Sequence, residues 1–422
     1  MSDHPILIVG AGLAGLAAAV ELARQGLPVL VIDQAQAIGG AVHRQPLPGV
    51  RSTATGAQAH RWSRLIAEVQ AQAIPIRCGT RFGGVDHTGA ALLTGALSTL
   101  IRPRAIVLAT GARESVQPRP GWTLPGVMTA GAIQSRIKTL AEPPQGRVLL
   151  AGSGPLLLAV GAELCRLRHP PIAIIEAARP LFNPASLTLP LPYLTEAATY
   201  LAHLLRARVP LFFGAHLTEI IQTNGPLVAQ IDTRKGPRNF AVDVIGLHDG
   251  IRPNDAGLTN CDVIPTLRLG DCREALGARA ALADGFAGGQ KLAAELLGTT
   301  PPSPNHDLQR QRAAQARLAR IYAHDGLARL AEIPAETVIC RCENRTLADL
   351  RALGPAPTAR ALRLDGRFAM GACQGRFCAE WVGRLSDLKA PPKPIGAARW
   401  PSRPISVADL LTTSDPIEKE TK

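Results

Sequence analysis

The apolar run Ile6-Leu7-Ile8-Val9 passes straight into Gly10-Ala11-Gly12-Leu13-Ala14-Gly15 and then into a helical pattern through Leu16, Ala19, Leu22 and Ala23. Strand, glycine-rich turn and helix in that order commit the backbone to a parallel α/β unit, and no other feature restricts the fold as much. Gly10 permits the tight turn, Gly12 lets the backbone approach a pyrophosphate, and Gly15 lets the helix pack closely on the strand. The free N–H groups and partial positive charge of the helix N-terminus suit a phosphate. A second strand, Val29-Leu30-Val31-Ile32, ends at Asp33, where an acid accepts hydrogen bonds from an adenosine ribose.

The same unit recurs. Arg147-Val148-Leu149-Leu150-Ala151 leads into Gly152-Ser153-Gly154-Pro155-Leu156-Leu157, and Ile172-Ala173-Ile174-Ile175 ends at Glu176. Here Leu157 stands in place of the third glycine and Pro155 removes an N–H near the phosphate position, so the fold is better supported than a nucleotide in it. Gly152 and Gly154 are the candidate contacts if one binds. Glu176 would repel a 2′-phosphate, which favours NAD over NADP; a purely structural half-fold is the other reading.

Composition excludes several classes. Apolar residues make up 46% and charged residues 19%, which suits a folded chain of several domains. Net charge is +13, but the arginines are scattered and aromatics are only 4%, so no nucleic-acid partner is expected. No run is long and apolar enough for a spanning helix, and Met1-Ser2-Asp3-His4-Pro5 lacks the basic region of a signal peptide. A cytoplasmic protein, not integral to a membrane, is expected.

Eight cysteines divide unevenly: Cys78, Cys165, Cys261 and Cys272 stand alone, whereas Cys340, Cys342, Cys373 and Cys378 cluster. In a reducing compartment such a cluster points to metal ligation. Ligand count alone admits both zinc and a [2Fe–2S] centre, although Cys-x-Cys is tighter than the usual zinc pair. A Pro-rich linker, Pro301-Pro302-Ser303-Pro304, and one basic helix from Leu308 to Leu330 precede this module. His43, Tyr193, His203 and His248 are scattered and read as structural, and no catalytic constellation is apparent, so the catalytic residues are unassigned.

Later pieces extend the pattern: Gly39-Gly40 after Asp33, Thr110-Gly111 behind Ile106-Val107-Leu108, and Gly270-Asp271 behind Leu267 and Leu269. Together they resemble the two-dinucleotide-domain flavoproteins, in which the glycine doublet passes close to FAD and the late Asp contacts its ribityl–phosphate region. The resemblance implies FAD at the first site. Unlike disulfide reductases of that type, the chain has only Cys165 in its second unit. The strings CRCENRTLADL and GACQGRFC look like the bacterioferritin-associated-ferredoxin-like (BFD-like) domain, which implies a [2Fe–2S] cluster on the four cysteines. Nearby Arg341, Arg367 and Arg376 read by default as solvated charge.

With IGGAVHRQP, IVLATGARE, GWTLPGVMTAGAIQ, LLAGSGPLLLAVGAEL, GIRPN and RPISVADL, the whole chain is similar to the FAD- and [2Fe–2S]-containing component of heteromeric bacterial amine dehydrogenases. That family includes the B subunit of hydrogen cyanide synthase, the A subunit of opine oxidase and the alpha subunits of D-hydroxyproline and proline dehydrogenases. The chain departs from it between Gly257 and Gly270, a stretch shorter than is usual there.

The fold implied is an α/β, Rossmann-like, glutathione-reductase-type flavoprotein with two dinucleotide-binding domains and a C-terminal BFD-like [2Fe–2S] domain. Its expected divisions are 1–115 with 245–300 for FAD, 116–244 for the degenerate second domain, 301–334 for the linker helix, 335–390 for the cluster module and 391–422 for a tail. The function implied is oxidation of an opine, D-hydroxyproline, proline or glycine by a D-amino-acid-oxidase-like partner subunit, with electrons relayed through this chain to a respiratory acceptor. Attachment to the inner face of the membrane and a small ferredoxin-like subunit are compatible additions. Two other readings compete: a stand-alone NAD(P)H-dependent flavin/iron–sulfur reductase, and an iron–sulfur interaction module whose nucleotide folds are scaffold only.

Overall fold

The computed structural model describes residues 4–50, 56–96, 98–258, 263–300, 303, 306–386 and 400–411. Cys261, most of the Pro-rich linker, the end of the cysteine module at 387–390 and the tail outside 400–411 lie outside the described residues.

Ile6–Val9 pairs in parallel with Val29–Ile32 on one side and with Ala105–Leu108 on the other. All four of its residues are buried, which is why the run is apolar throughout rather than alternating. Thr266–Arg268 and Ile76–Arg77 complete a five-stranded parallel sheet. The short stretch before Gly270 therefore still delivers a strand to this sheet. An antiparallel sheet of Arg81–Val85, Ala91–Thr94 and Thr99–Ile101 belongs to the same unit.

The helix Leu13–Arg24 lies against the helix Ala278–Leu297 through small residues. A Cβ on Gly285 would meet the backbone of Ala14, and one on Gly289 that of Ala18, so these two helices touch backbone to backbone.

The second unit repeats the plan. Its parallel sheet runs in the order Leu211–Phe213, Ala173–Glu176, Val148–Gly152, Val244–His248, Val127–Thr129, with an antiparallel meander of His216–Gln222, Leu227–Thr233 and Gly236–Val242. One boundary differs from expectation. Val244–His248 pairs with Val148–Gly152 along its whole length, so the second unit runs through His248 and does not end at 244. The buried apolar run there completes this sheet instead of returning to the first. The two crossings between units pair with each other, Ala112–Glu114 antiparallel to Ile251–Pro253.

The expected single helix from Leu308 to Leu330 is broken. His306–Ile321 and Gly326–Leu330 are separate helices, interrupted around Tyr322–Asp325. The second is pinned to the meander by Arg329 on Asp232 (3.2 Å) and by His216 on Asp325 (3.1 Å).

The cysteine module has its own core of Leu330, Ile339, Leu347, Leu350, Leu362, Phe368, Trp381 and Val382. Thr346 and Asp349 cap one of its helices reciprocally. Trp122 Nε1 donates to the Val338 carbonyl (2.7 Å), Arg252 pairs with Glu380 (2.9 Å), and Ser402 N donates to the Gly83 carbonyl (2.7 Å). These contacts tie the module and the tail to the nucleotide-fold units.

Candidate cofactor-binding sites

At the first turn, Gly10 has φ +113°, and a Cβ there would strike the carbonyl of Ala109, while one on Gly15 would strike that of Gly10. Gly12 is different: a Cβ would find only the Cα of Gly40, at 3.8 Å. Gly39 and Gly40, at φ +117° and +61°, fold the next loop back so that bare backbone faces bare backbone. Gly39 N–H reaches the Ala11 carbonyl at 2.8 Å. Asp33 accepts from Ala11 N–H and Ala35 N–H, both at 2.8 Å, and leaves the N–H of Gly12 unclaimed by a carboxylate. This backbone cradle, open at Gly12, fits a pyrophosphate such as that of FAD.

Thr110 and Gly111 latch the loop that follows the returning crossing. Thr110 Oγ1 donates to the Asn254 carbonyl (2.7 Å), and Asn254 N–H donates to the Gly111 carbonyl (2.9 Å). Asp271 accepts from Leu276 N–H (3.0 Å) and Gly277 N–H (2.8 Å) through Oδ1, and burial pushes its carboxyl pKa up. That oxygen is thus used to start the helix Ala278–Leu297. His43 stacks on Trp62 with centroids 4.9 Å apart; burial, then Lys138 and Arg61, lower its pKa to about 4. Tyr193 hydrogen-bonds Gln311 and His203 lies on the helix Leu191–Arg206, so His43, Tyr193, His203 and His248 come to no common site.

The second turn closes on itself. Glu176, one methylene longer than Asp33, accepts from Gly154 N–H (3.0 Å) and Ala178 N–H (2.9 Å). The N–H equivalent to that of Gly12 is thereby taken. Ser153 N–H goes to the His248 carbonyl (2.7 Å), and Ser153 Oγ to the Tyr322 carbonyl in the break of the linker helix (3.4 Å). The cleft between this turn and the docked linker holds about 330 Å³, at the small end for ligand pockets. His248 Nδ1 lies 2.9 Å from Glu114 Oε1, a pair that ties the end of the strand Val244–His248 to the first crossing.

Burial raises the Glu176 pKa to about 7, against the opposing backbone hydrogen bonds. A carboxyl whose folded pKa lies above its unfolded value stabilises most below the unfolded value, near 4.5, and loses that contribution as pH rises through about 7. Urea unfolding between pH 5 and pH 8 should therefore show stability falling by up to about 3 kcal/mol from this group, and Glu176→Gln should flatten that slope.

Cys340, Cys342, Cys373 and Cys378 converge as two pairs. Cys340 and Cys378 share a hydrogen bond, as do Cys342 and Cys373, and the pairs lie close enough to feel each other's charge. Hydrogen bonds from Cys378 and from the N–H groups of Glu343, Ala369 and Cys342 lower the Cys340 pKa to about 6, against burial, while Cys378 moves up. The loops that bring them together use left-handed backbone at Asn344, Ala369 and Gln374, with φ of +50°, +61° and +51°. A Cβ on Gly371 would collide with that of Cys342. Among the described residues no three His, Cys, Asp or Glu side chains are grouped as a closed metal site.

Sequence reasoning missed how this module is docked. Arg376, read as surface charge, donates to the Cys373 carbonyl (3.0 Å) and to the Ala256 carbonyl (3.2 Å), two residues beyond Asn254. It clamps the cysteine loop to the loop latched by Thr110 and Gly111. Gln374-Gly375-Arg376 carries no signal of this, because an arginine between two cysteines looks the same whether solvated or docked. Cys340 and Cys378 are buried and Cys342 is exposed, so one edge of the cluster of thiols faces solvent.

Comparison with known proteins agrees with this architecture. Residues 4–270 match the family described as pyridine nucleotide-disulphide oxidoreductase. The chain is 32% identical to the HcnB subunit of hydrogen cyanide synthase of Pseudomonas aeruginosa over 92% of each chain. It is 29% identical to the A subunit of opine oxidase of Agrobacterium tumefaciens over 100% of this chain and 96% of that one. The crystal structure of L-proline dehydrogenase from P. horikoshii shares the fold, with a TM-score of 0.62 at 17% identity, covering 96% of this chain and 79% of that one. The chain therefore belongs to the pyridine nucleotide-disulphide oxidoreductases, in the company of the HcnB and opine oxidase A subunits.

Proposed function

We propose that the chain is the FAD- and [2Fe–2S]-carrying subunit of a heteromeric dehydrogenase acting on an amino or imino acid such as an opine, D-hydroxyproline, proline or glycine. The observation that carries the reading is the Arg376 clamp, which holds the Cys373 loop against the loop latched by Thr110 and Gly111. The two candidate sites are thereby joined through one arginine side chain.

The residues offer a backbone gap for the first group and four thiol donors for the second. Gly12 and Gly40 leave a backbone gap for a pyrophosphate, and the late Asp271 lies at the start of a helix beside the same unit. Four thiols in two pairs, with backbone N–H groups directed at sulfur, match the donor set of a cluster that spreads four thiolates over two irons. When bound, FAD converts a two-electron oxidation into single electrons and the cluster passes these on. Within this reading, Gly10, Gly12, Gly15, Gly39 and Gly40 position the cofactor, Asp33 orients the turn towards the ribose, and Cys340, Cys342, Cys373 and Cys378 hold the irons. The exposed Cys342 edge is where an acceptor would approach.

In this reading a D-amino-acid-oxidase-like partner takes the hydride from the substrate, because His43, Tyr193, His203 and His248 come to no common site in this chain. Names of relatives support the assembly: each of the two compared above is itself called a subunit. A stand-alone NAD(P)H reductase is disfavoured by Gly154 N–H being engaged by Glu176, by Pro155 and by the docked Tyr322 segment. Among the described residues no helix is long and apolar enough to cross a membrane.

The test is to purify the chain with and without the oxidase-like subunit expressed beside it. The assembled pair should oxidise one of the four substrate classes with an artificial acceptor, and the single chain should do so at less than about 1% of that rate. Full activity of the single chain, or rapid bleaching of its flavin by NADH, would overturn the reading.

A further inference from the structure

The glycine doublet of the first site sits in a long irregular loop, residues 34–50, none of which belongs to a strand or a helix. Loops of that length without regular structure are uncommon unless they serve a site. The first unit holds this one at its start, through Gly39 N–H on the Ala11 carbonyl (2.8 Å), and a turn from His43 N–H to the Gly39 carbonyl (3.1 Å) closes the doublet. The next restraint comes from the second unit. There the helix Ala130–Leu140 packs on the strands Val127–Thr129 and Val244–His248. Its half-buried Lys138 donates from Nζ to the carbonyls of Ala41 (3.1 Å) and Val42 (3.0 Å). Thr139 adds a second tie, its carbonyl accepting from Leu47 N–H (3.0 Å). Ala41 and Val42 directly follow Gly40, the residue whose Cα stands across the gap from Gly12. Hydrogen bonds from a charged donor are stronger than neutral ones, so the lysine restrains this loop more than a backbone contact would.

We propose that Lys138 braces the first cofactor site: a side chain of the second unit fixes the glycine-doublet loop of the first, so that the unit whose own turn is closed completes the turn that is open. The inference rests on the reading of the first turn as an FAD site given above. Lys138 is a positioning residue in this account; it acts on the cofactor through Ala41 and Val42. A loop fixed before binding spares the ligand the cost of ordering it, so the brace is expressed as affinity.

The experiment takes two readouts on the full chain, unmodified and as Lys138→Met, Lys138→Arg and Arg136→Gln. One is the dissociation constant of FAD for protein stripped of flavin. The other is the rate at which trypsin cuts the flavin-free protein after Arg44, an exposed residue of the same loop. Lys138→Met should weaken FAD at least about tenfold and speed cleavage at Arg44 at least about fivefold. Lys138→Arg keeps a charged donor able to serve two carbonyls and should stay within about threefold on both readouts. Arg136→Gln, at an exposed position of the same helix, should change neither. Either readout unchanged in Lys138→Met overturns the inference, as does equal weakening in Lys138→Met and Lys138→Arg, which marks a disturbed helix. If Lys138→Met unfolds, trypsin cuts along the whole chain, and Lys138→Gln decides by the same two readouts. An unmodified protein that binds no FAD overturns the cofactor reading, while cleavage at Arg44 still tests the brace, which distinguishes the two failures.

Discussion

Cys378→Ser should strip the protein of iron, from about two atoms per chain to below about 0.2, while leaving its flavin in place. Cys378 is 2% exposed and hydrogen-bonded to Cys340, so its sulfur cannot be replaced by a ligand from solvent. Serine offers a hard, shorter oxygen to irons that prefer thiolate. Electron delivery from the assembled dehydrogenase to an external acceptor should then fall by at least about a hundredfold, because the only route proposed runs through this centre. Cys165→Ser is the matched control: Cys165 packs in the core of the second unit, and its loss should leave iron and rate unchanged. Iron analysis and the visible spectrum of anaerobically purified protein read the result.

Gly12→Val should empty the first site without unfolding it. Gly12 has φ −85°, an angle any residue adopts, and the space beyond its missing Cβ holds only the Cα of Gly40. An added Cβ is accommodated by the protein, and the valine methyls beyond it project into the gap that a pyrophosphate needs. Flavin content should drop from about one per chain to below about 0.1, with the melting temperature of the flavin-free protein within about 3 °C of that of the stripped unmodified protein. Gly15→Val makes the contrast: its Cβ would run into the Gly10 carbonyl and the Ile8 side chain, so it should cost more than about 3 kcal/mol and lose the fold with the flavin.

The parts legible in the sequence are those whose chemistry is local. A buried parallel strand must be apolar along its length, and a turn with no room for a Cβ must be glycine, so Ile6–Val9 with Gly10 and Val148–Gly152 announced themselves. That the four cysteines come together was equally plain from their two close pairs in one module. What the sequence withheld depends on contacts between distant segments. The expected boundary put residues from 245 onward with the first domain, and only the register of Val244–His248 against Val148–Gly152 assigns that strand to the second. The linker read as one helix because its periodicity is continuous. The break around Tyr322–Asp325 follows from Ser153 and His216, which hold the segment from another unit. Arg376 gave no local sign of its role, since a docked arginine and a solvated one are spelled alike.

Degenerate does not mean vacant in the second unit. Its turn keeps the two glycines at φ +138° and +133°, yet its donors are satisfied by Glu176 and by the His248 carbonyl. An anion entering there would have to displace an existing hydrogen bond, whereas at Gly12 it would not. The same fold thus carries one open turn and one closed turn.

The central claim, that one flavin and one two-iron cluster share this chain, is tested most directly by counting electrons. Anaerobic titration of the oxidised protein with a one-electron reductant of low potential should consume about three equivalents per chain, two for the flavin and one for the cluster. A count of two, with all the absorbance change in the flavin bands, would contradict the account.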